Sequence, residues 1–484
     1  MNINTQSTHD TVAPGEPESP VADLAGEGAD AGEESAVTKP EAPNQIRVAR
    51  QFVEAVEDHL LYDADASRWL RYDGARWNPE DGYSYALRAA EPVAGRANIR
   101  RVGLVRSIVD YASHDVSLRI RSDRLDRDPE LLGVANGVLD LRTGQLLRDR
   151  PDLLVTKSTG VEFDPRAACG RWEQFLQEVL GADSDVQEYL QRWAGYLLTG
   201  HTSVQKLWIL HGDGSNGKSV FVRTLQTLLG EYAQQAPSSV LVAGSRSGGP
   251  SNDIARIAGA RFVAVSETER RDTFSEAQVK KLIGGDRVEA RFLFREFVEF
   301  VPEAKFALVT NYLPSVRGGD HGIWRRLVVV PFSRTITNPD PTLVSTLRAE
   351  LPGILTWAAK GARAFLEDGL PDEPIQFRHA STSYRASQDI IGEFLRERCV
   401  LEVTGRTEAH RLRAAFDAWC AEREVPTIDW QSRVAPYFQE RGLEPRKYGK
   451  ANRAHWFGIE LNSGEVGDEE RASTGGGTDL DLVA

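Results

Sequence analysis

Short apolar runs alternate with amphipathic helical stretches through the middle of the chain. Residues 219–229 repeat apolar side chains at helical spacing, and the run before them is almost continuously apolar. Further apolar runs follow, and two of them end in an acidic or an amide residue. Such runs are typical of strands that are buried on both faces of a parallel sheet. The pattern predicts an α/β core with a parallel sheet, whose strands include residues 206–210, 261–265, 306–311 and 327–330.

The regions on both sides of this core combine helices with short strands. Residues 46–61 have helical periodicity, and a short strand is expected at 69–72. Residues 134–147 predict a β-hairpin, and residues 171–199 predict two amphipathic helices. After the core, residues 341–385 are expected to be mainly helical.

The C-terminal part predicts a separate small domain. Helices are expected at 390–399, 410–423 and 430–442, followed by a β-ribbon at 448–461. Three helices and a basic ribbon are typical of a winged helix, which is a DNA-binding module. A winged helix that contacts only proteins is the alternative. The candidate DNA contacts near the ribbon turn are Lys447, Lys450 and Arg453.

These elements and the composition divide the chain into seven regions. Both ends are rich in Gly, Pro, Ser and acidic residues, so we expect them to be disordered. The predicted regions are an acidic tail (1–44), a small α+β region (45–130), a hairpin with a helical collar (131–200), the core (201–335), a helical connection (336–388), the winged helix (389–462) and a second acidic tail (463–484).

The formal net charge of −13 comes from the two tails. Residues 1–44 contain nine acids and one base, and residues 463–484 contain six acids and one base. Residues 45–462 therefore hold 56 bases and 56 acids. The total charge does not argue against a nucleic-acid partner, because a neutral body can carry basic patches.

The chain has features of a protein that works in a reducing cytoplasm. No apolar run approaches the ~18 residues that span a bilayer, and the start lacks the order of a signal peptide. We therefore expect no membrane association. Three scattered cysteines argue against a disulfide framework and against a cysteine-based zinc site. They are Cys169, Cys399 and Cys420.

A glycine-rich loop joins the first predicted core strand to its helix. Residues 211–219 are HGDGSNGKS and fit G-x-x-x-x-G-K-[ST], which cradles nucleoside phosphates. Glycines let backbone N–H groups face the phosphate oxygens, while Lys218 serves the β/γ-phosphates and Ser219 serves Mg²⁺. A glycine-rich surface turn is the alternative, but the flanking strand and helix argue against it. The predicted ATP-binding residues are Gly212, Asp213, Gly214, Ser215, Asn216, Gly217, Lys218, Ser219 and Val220.

Polar side chains at the carboxyl ends of later strands predict the rest of a hydrolytic site. In such ATPases one acid helps to hold Mg²⁺ and one polarises the attacking water. Ser266 stands where an acid is common, so Glu267 is the leading candidate for activating water and a candidate Mg²⁺ ligand. Glu269 is a secondary catalytic candidate, and solvated charge is the alternative for both glutamates. Asn311 is placed to sense the γ-phosphate or to orient water.

Two arginines stand immediately before the last predicted core strand. Paired arginines in such a place are commonly surface charge. ATP hydrolysis, however, needs a cation for the charge of the transition state, which a neighbouring subunit often supplies. Arg325 and Arg326 are therefore both candidate catalytic residues.

Basic and aromatic residues alternate after a predicted basic helix end and a Gly-Gly break. Cations can take nucleic-acid phosphates, and aromatic rings can stack on bases. An ordinary hairpin with core phenylalanines and solvated arginines explains the spacing equally well. The candidate DNA contacts are Lys280, Lys281, Arg287, Arg291, Phe294 and Arg295.

Asp63 and Asp65 have the spacing of a carboxylate pair in a primase or a polymerase. A turn before a strand explains them better, and we expect a structural role. The segment is also too short for a polymerising primase domain.

In this order the segments resemble the superfamily-3 helicase module of phage and plasmid primase-helicases, which is related to the poxvirus-type primase-helicase. The resemblance covers about residues 130–462. Upstream, ANGVLDL at 135–141 and the region of Trp172 look like the domain that precedes the ATPase in that family. The motifs that carry the resemblance are SETE at 266–269, GGD at 284–286, AR at 290–291, TNYLP at 310–314 and GIWRR at 322–326.

The resemblance implies an AAA+-like P-loop ATPase that moves along single-stranded or forked DNA as a ring, usually a hexamer, with ATP and Mg²⁺. It implies that Asn311 is the polar sensor and that Arg325 or Arg326 reaches the ATP of the adjacent subunit. The stretch 281–297 corresponds to the family's DNA-contacting hairpin. No primase domain is evident before the helicase module, so we expect priming to need a separate primase or other replication proteins.

Two other function classes compete with a helicase. A replication initiator or loader would use ATP as an assembly switch and never translocate, and the same loop and winged helix would serve it. A small-molecule P-loop kinase would need neither the Gly-Gly-Asp region nor a basic winged helix, so this class is disfavoured.

Overall fold

A five-stranded parallel sheet lies at the centre of the computed structural model. Contacts divide the chain into two units, Met1–Asn44 and Gln45–Ala484, and all described residues belong to the second. The predicted acidic tails lie outside the described residues. The structure describes residues 45–244, 252–269, 272–291, 297–316, 321–423, 428–449 and 452–462.

The N-terminal part packs helices against a four-stranded sheet of order β3-β2-β1-β4. Its elements are α1 (Gln45–Val56), β1 (Leu60–Asp63), β2 (Arg68–Tyr72), β3 (Trp77–Asn78), α2 (Gly82–Arg96), α3 (Val102–Ala112) and β4 (Arg119–Ile120). The helix predicted for residues 46–61 is too long. It ends at Val56, because Leu60 and Leu61 pair with β2 in the sheet.

Asp63 and Asp65 anchor a loop, as expected for a structural role. Asp63 is completely buried, and its Oδ1 accepts hydrogen bonds from Ser122 Oγ at 2.6 Å and Ala66 N at 3.2 Å. Asp65 Oδ2 accepts from Ser122 N at 2.9 Å. The hydrogen bonds of both carboxylates thus serve the turn between β1 and β2 and the start of the segment after β4.

The predicted hairpin and helix pair are confirmed, and a third strand joins the hairpin. The elements are β5 (Leu131–Val134), β6 (Gly137–Asp140), β7 (Gln145–Leu147), α4 (Gly170–Leu180) and α5 (Ser184–Leu198). The strand order is β5-β6-β7, and both pairings are antiparallel. Apolar residues of α4 and α5 are buried in the same cluster as those of the core sheet.

The predicted α/β core is confirmed, and its sheet has the order β14-β8-β13-β10-β9 with every pairing parallel. A separate antiparallel hairpin, β11–β12, stands apart from this sheet. The core elements are β8 (Leu207–His211), α6 (Lys218–Leu229), β9 (Ala233–Ala236), α7 (Asn252–Ala255), β10 (Phe262–Val265), α8 (Glu276–Gly284), β11 (Val288–Arg291), β12 (Phe297–Phe300), β13 (Lys305–Thr310), α9 (His321–Trp324) and β14 (Leu327–Pro331).

Stacked aromatic rings hold α4 and α5 over α6. The ring centroids of Trp172 and Phe221 are 5.6 Å apart, and those of Trp193 and Phe221 are 5.9 Å apart. All three side chains are buried, and large buried aromatic rings contribute strongly to packing. The helix that follows the glycine-rich loop is therefore packed directly against the preceding helical pair.

Three helices follow the core, and the first two of them complete the packing around α5 and α6. They are α10 (Leu343–Ala349), α11 (Leu351–Asp368) and α12 (Ile375–Ser387). Gly195 on α5 allows close approach to α11, because a Cβ there would lie 2.0 Å from the Ala362 nitrogen. The helical connection predicted from the sequence is therefore present.

The C-terminal part has the element order α-β-α-α-β-β. Its elements are α13 (Ile390–Arg398), β15 (Cys399–Glu408), α14 (Ala409–Glu422), a π-helical turn (Trp430–Val434), α15 (Ala435–Glu440), β16 (Glu444–Tyr448) and β17 (Arg453–Leu461). The helix predicted at 430–442 is in fact the π-turn and α15, and Pro436 lies in the first turn of α15, where its missing N–H costs little. Strand β15 was not predicted from the sequence, because a register shift between Leu401 and Arg406 breaks its alternating pattern.

Candidate nucleotide and nucleic-acid sites

The loop between β8 and α6 needs its glycines. φ is +106° at Gly214 and +85° at Gly217, in the region that side chains rarely adopt. A Cβ on Gly217 would lie 2.6 Å from Val179 Cγ1 on α4. A Cβ on Gly212 would lie 2.3 Å from the carbonyl oxygen of Phe332. The loop therefore closes against α4 on one side and against the segment after β14 on the other.

The segment after β14 braces the loop through hydrogen bonds. Phe332 N donates to His211 O at 2.7 Å, and Ile336 N donates to Ser215 O at 2.9 Å. Asn216 is 4% exposed, and its Nδ2 donates to Phe332 O at 3.0 Å. β14 pairs with β8 in the sheet, and these hydrogen bonds continue that pairing past the carboxyl ends of the two strands. Asn216, which the motif leaves unspecified, thus has a structural part in the loop.

Lys218 donates to three protein oxygens. Its Nζ lies 2.6 Å from Gly212 O, 3.1 Å from Asn216 Oδ1 and 2.9 Å from Asn311 Oδ1. An ammonium group has three donors, so this arrangement satisfies all of them. Burial lowers the pKa of Lys218, and the carboxylate of Glu267 opposes that shift. The structure thus brings together three of the predicted catalytic residues.

The strand order explains why Asn311 meets Lys218. β13, which precedes Asn311, lies between β8 and β10. Since the strands are parallel, the residues that follow them collect at one edge of the sheet. The amide of Asn311 therefore lies between the lysine that follows β8 and the glutamate that follows β10.

Hydroxyl groups hold the ends of three strands together at this edge. Thr268 Oγ1 lies 2.7 Å from Thr310 Oγ1 and donates to Tyr312 O at 2.8 Å, which joins the ends of β10 and β13. Ser266 Oγ donates to Ala236 O at 3.2 Å, which joins β10 to β9. The sequence analysis missed the two threonines. Each lies within two residues of a candidate acid or amide, and that spacing is the signal that could have found them.

The two candidate glutamates differ in their relation to Lys218. Both are exposed, but the Glu267 carboxylate acts on the pKa of Lys218 whereas no such effect of Glu269 is found. Glu269 N donates to Asp272 Oδ2 at 2.8 Å. Asp213 in the glycine-rich loop also raises the pKa of Lys218. Of the two candidate glutamates, only Glu267 acts electrostatically on Lys218.

A cavity of about 330 Å³ lies beside the start of α6. Ser219 and Val220 line it from α6, while Val344 and Leu351 line it from α10 and α11. Five of its eight lining residues are polar or charged, including Arg223 and Arg348, although most of the surface that these residues expose is apolar. A cavity of this kind next to a phosphate-binding loop suits the base and ribose of a nucleotide.

Arg325 and Arg326 have different surroundings. Arg325 is exposed and lines a groove of about 310 Å³ together with Lys206 and Arg378. Arg326 is half-buried, and its Nη1 donates to Gly322 O at 2.7 Å. Its Nε is buried and has no hydrogen-bond partner within the described ranges. Of the two arginines, Arg325 is therefore the one whose side chain is accessible from outside the chain.

The candidate DNA contacts of the core are described only in part. Lys280 and Lys281 lie near the end of α8, and Arg287 lies exposed between α8 and β11. Only the backbone of Arg291 is described, within β11. Phe294 and Arg295 lie outside the described residues.

The candidate DNA contacts of the C-terminal part lie around the β16–β17 turn. Lys447 is exposed on β16, and Arg453 begins β17. Arg453 pairs with Glu408 at 3.0 Å, so part of its charge is balanced. Lys450 lies outside the described residues.

Two buried cations that the sequence analysis did not single out tie the core to α5. Arg261 Nη2 donates to Leu131 O at 2.9 Å and its Nη1 donates to Leu198 O, while Lys305 Nζ donates to Thr199 O. Burial lowers the pKa of Lys305 well below its usual range. The two cations face the carbonyl end of α5, where the helix dipole favours positive charge. A charged residue at the start of a buried strand is the sequence signal for both.

A few protein oxygens are available for Mg²⁺. Within the described ranges, no group of three or more His, Cys, Asp or Glu side chains could hold a metal ion. Nucleotide-bound Mg²⁺ does not need such a group, because phosphates and water supply most of its ligands. The Ser219 hydroxyl and the Glu267 carboxylate, both exposed at the same sheet edge, suit that role.

No helix in the part of the chain that the structure describes is long and apolar enough to cross a membrane.

Two family models match the chain. Residues 49–181 match the family described as D5 N terminal like. Residues 210–326, which contain most of the candidate site, match a family of unknown function, DUF5906.

Several viral proteins are similar in sequence. Putative helicase L207/L206 of Acanthamoeba polyphaga mimivirus is 27% identical over 325 residues, covering 62% of this chain and 33% of that protein. Putative helicase 184R of Invertebrate iridescent virus 6 is 24% identical over 229 residues, covering 44% of this chain and 23% of that protein. Putative primase C962R of African swine fever virus is 28% identical over 233 residues, covering 45% and 23%. The chain thus spans between 23% and 33% of the length of these three relatives.

Among solved structures, the apo form of the NrS-1 C-terminal region covers 85% of this chain and 99% of that one, with 11% identity and a TM-score of 0.48. The family and sequence matches confirm the predicted resemblance to phage, plasmid and poxvirus-type primase-helicases, and they support a resemblance to the D5-like primase-helicases in particular.

Proposed function

We propose that this chain, a relative of D5-like primase-helicases, is itself a DNA helicase that hydrolyses ATP to unwind duplex DNA. One observation carries the proposal. Lys218 at the glycine-rich loop contacts Asn311 at the end of β13, and the Glu267 carboxylate acts on the same lysine. A lysine, an amide and a carboxylate at one edge of a parallel sheet are the groups that phosphoryl transfer requires.

Lys218 holds the β- and γ-phosphates in this proposal. The Lys218 side chain is 4% exposed and burial lowers its pKa, so an approaching phosphate meets a partly desolvated cation. Charge attraction is stronger in such surroundings than in bulk solvent. Backbone N–H groups of Gly214 to Gly217 complete the cradle. The base and ribose lie in the cavity beside Ser219 and Val220.

Glu267 and Asn311 act on the γ-phosphate side. Glu267 polarises the attacking water, and the amide of Asn311 donates to the γ-phosphate. The Asn311 oxygen, which accepts from Lys218 in this structure, releases that donor to the phosphates when the nucleotide binds. Mg²⁺ supplies positive charge between the phosphates when it is bound, and Ser219 and Glu267 would hold it.

Arg325 completes the site of a neighbouring subunit. Its exposed guanidinium and the basic groove around it suit the negative charge of a nucleotide on another copy of the chain. The active assembly in this proposal is a ring of identical subunits, and a hexamer is the expected size. Arg326 positions the segment before β14 through its bond to Gly322.

DNA contacts come from two places in this proposal. Lys280, Lys281 and Arg287, which precede β11, would contact single-stranded DNA. The C-terminal part has the α-β-α-α-β-β order and a basic ribbon turn, which favours a winged helix that binds DNA.

An ATPase assay with and without single-stranded DNA tests the proposal, together with a mass measurement of the assembly. We expect Lys218→Ala to abolish turnover and unwinding, because the phosphates lose their buried cation. Lys360→Ala is the matched control, since Lys360 is exposed on α11. Parent-level turnover in Lys218→Ala would show that the hydrolytic assignment is wrong.

A replication initiator or loader is the second candidate. The α-β-α-α-β-β domain favours it, because such a domain can bind duplex DNA without any translocation. Strand displacement on a forked substrate separates the two functions. ATP-dependent binding without unwinding supports the initiator, and ATP-dependent unwinding supports the helicase.

A further inference from the structure

A cluster of arginines on the N-terminal part has no role in the sites described above. Residues 92–109 contain four arginines and no acidic residue. All four are exposed, and no described residue forms an ion pair with any of them. By contrast, Arg88, which lies on α2 in the same N-terminal part, pairs with Asp81 at 3.0 Å. The four residues, here called the arginine patch, are Arg96, Arg100, Arg101 and Arg106.

The arginine patch lies on a short segment that is firmly held. Arg96 is the last residue of α2, Arg101 directly precedes α3, and Arg106 lies in the second turn of α3. Between them, Ile99 is only 5% exposed and packs into the core of the three helices. Ile99 N also donates to Ala94 O at 2.9 Å. Four guanidinium groups therefore project from a segment that has little freedom to move.

The chemistry of the arginine patch fits phosphates. A guanidinium is always charged and presents paired N–H donors that match phosphate oxygens. Between Glu91 and Asp110 the sequence contains these four cations and no acid, so this stretch is locally basic. Val102 is 69% exposed, and a Cβ at Gly95 or Gly103 would meet open space. The surface beside the arginines is therefore open at these three positions.

We propose that the arginine patch binds the phosphate backbone of DNA and so forms a contact outside the ATPase core. The choice of DNA as the polyanion rests on the proposed function, whereas the site itself rests on the exposed, unpaired arginines. Contacts to phosphates alone carry no base information, so the arginine patch holds DNA irrespective of sequence.

Salt-dependent binding of the full chain to fluorescein-labelled oligo(dT) and to a labelled duplex tests this proposal. The test variant changes all four patch arginines to Gln, which keeps helix propensity similar. The control variant carries the same charge change at exposed arginines that pair with nearby carboxylates. These are Arg121, Arg150, Arg363 and Arg413. Circular dichroism melting checks that both variants fold.

We expect the patch variant to bind oligo(dT) about 100-fold more weakly than the parent at roughly 0.1 M salt, because each phosphate contact releases counterions. The slope of log affinity against log salt should become shallower by about 2 to 3, since each contact contributes about 0.7. The control variant should stay close to the parent in both readouts.

Three results would overturn the proposal. Parent-like affinity and slope in the patch variant would do so, and so would equal losses in both variants, which indicate a general charge effect. Unchanged DNA binding together with lost binding of a labelled polyglutamate peptide would assign the arginine patch to acidic protein segments. DNA binding does not require turnover, so this inference can fail while ATP hydrolysis persists, and the reverse also holds.

Discussion

Asn311→Ala is the sharpest test of the nucleotide site. The substitution removes the oxygen that lies 2.9 Å from Lys218 Nζ and the amide donor that we assign to the γ-phosphate. Asn311 is half-buried, so the space left by the substitution should expose the Lys218 ammonium to water only in part. Lys218 would keep its bonds to Gly212 O and Asn216 Oδ1. The loop should therefore keep its shape, and the effect should appear in turnover.

The expected magnitude follows from the type of hydrogen bond. A bond to a charged group contributes about 1.5–3 kcal/mol. If the transition state loses that much, turnover falls roughly 10- to 150-fold, because about 1.4 kcal/mol corresponds to a factor of ten. Nucleotide affinity should change much less, since the other phosphate contacts remain.

Steady-state ATP hydrolysis and binding of a fluorescent ATP analogue measure the two effects separately. Asn311→Asp refines the test, because it keeps an acceptor for Lys218 but removes the donor and adds negative charge near the phosphates. We expect it to lose at least as much turnover as Asn311→Ala. Asn136→Ala, which removes an amide bonded to the Phe163 backbone, is the matched control. Parent-level turnover in Asn311→Ala would refute the assignment, and full activity in Asn311→Asp would limit Asn311 to holding Lys218.

Four further predictions concern the same site and the protein interior. Glu267→Gln should lower turnover by about 10²–10⁴ while nucleotide still binds, because the general base is lost; filter binding and hydrolysis assays check this, and parent-like turnover would shift the role to another acid. Arg325→Ala should abolish turnover of the assembly but not nucleotide binding, whereas Arg326→Ala should chiefly lower the melting temperature; mixing Arg325→Ala with Lys218→Ala subunits should restore some turnover if the arginine acts between subunits. Gly217→Ala should cost about 1–3 kcal/mol of stability, because a left-handed backbone is strained for alanine, and its added Cβ would meet Val179; chemical denaturation measures it. Burial raises the pKa of the Cys169 and Cys399 thiols to about 12 and also raises the pKa of the Cys420 thiol. At pH 8 a thiol reagent should therefore label none of the three in the native protein and all of them after unfolding.

Some parts of the candidate site could be predicted because their signals are local. The loop at 211–219 is contiguous, and its glycines reflect a backbone that other residues rarely adopt. Strands β8, β10, β13 and β14 are continuous apolar runs, because each is covered on both faces. Helices α4 and α5 showed their buried face through helical periodicity.

Other parts were wrong or missed because their signals are not local. The first helix was predicted to reach residue 61, since apolar Leu60 and Leu61 suit a helix as well as the strand that they form with β2. Strand β15 was missed because its register shift breaks the alternation of buried and exposed side chains.

By itself, the sequence determined which chemical groups are present and next to which strands they stand. They are a phosphate-binding loop, an acid after one strand, an amide after another and two arginines before a third. Periodicity and motif spacing report burial and local backbone shape, and these depend on near neighbours along the chain. Only the tertiary structure decided that β13 lies between β8 and β10, which brings Asn311 to Lys218. It also separated exposed Arg325 from half-buried Arg326. Strand order and exposure depend on how distant segments pack, and no local pattern in the sequence carries that information.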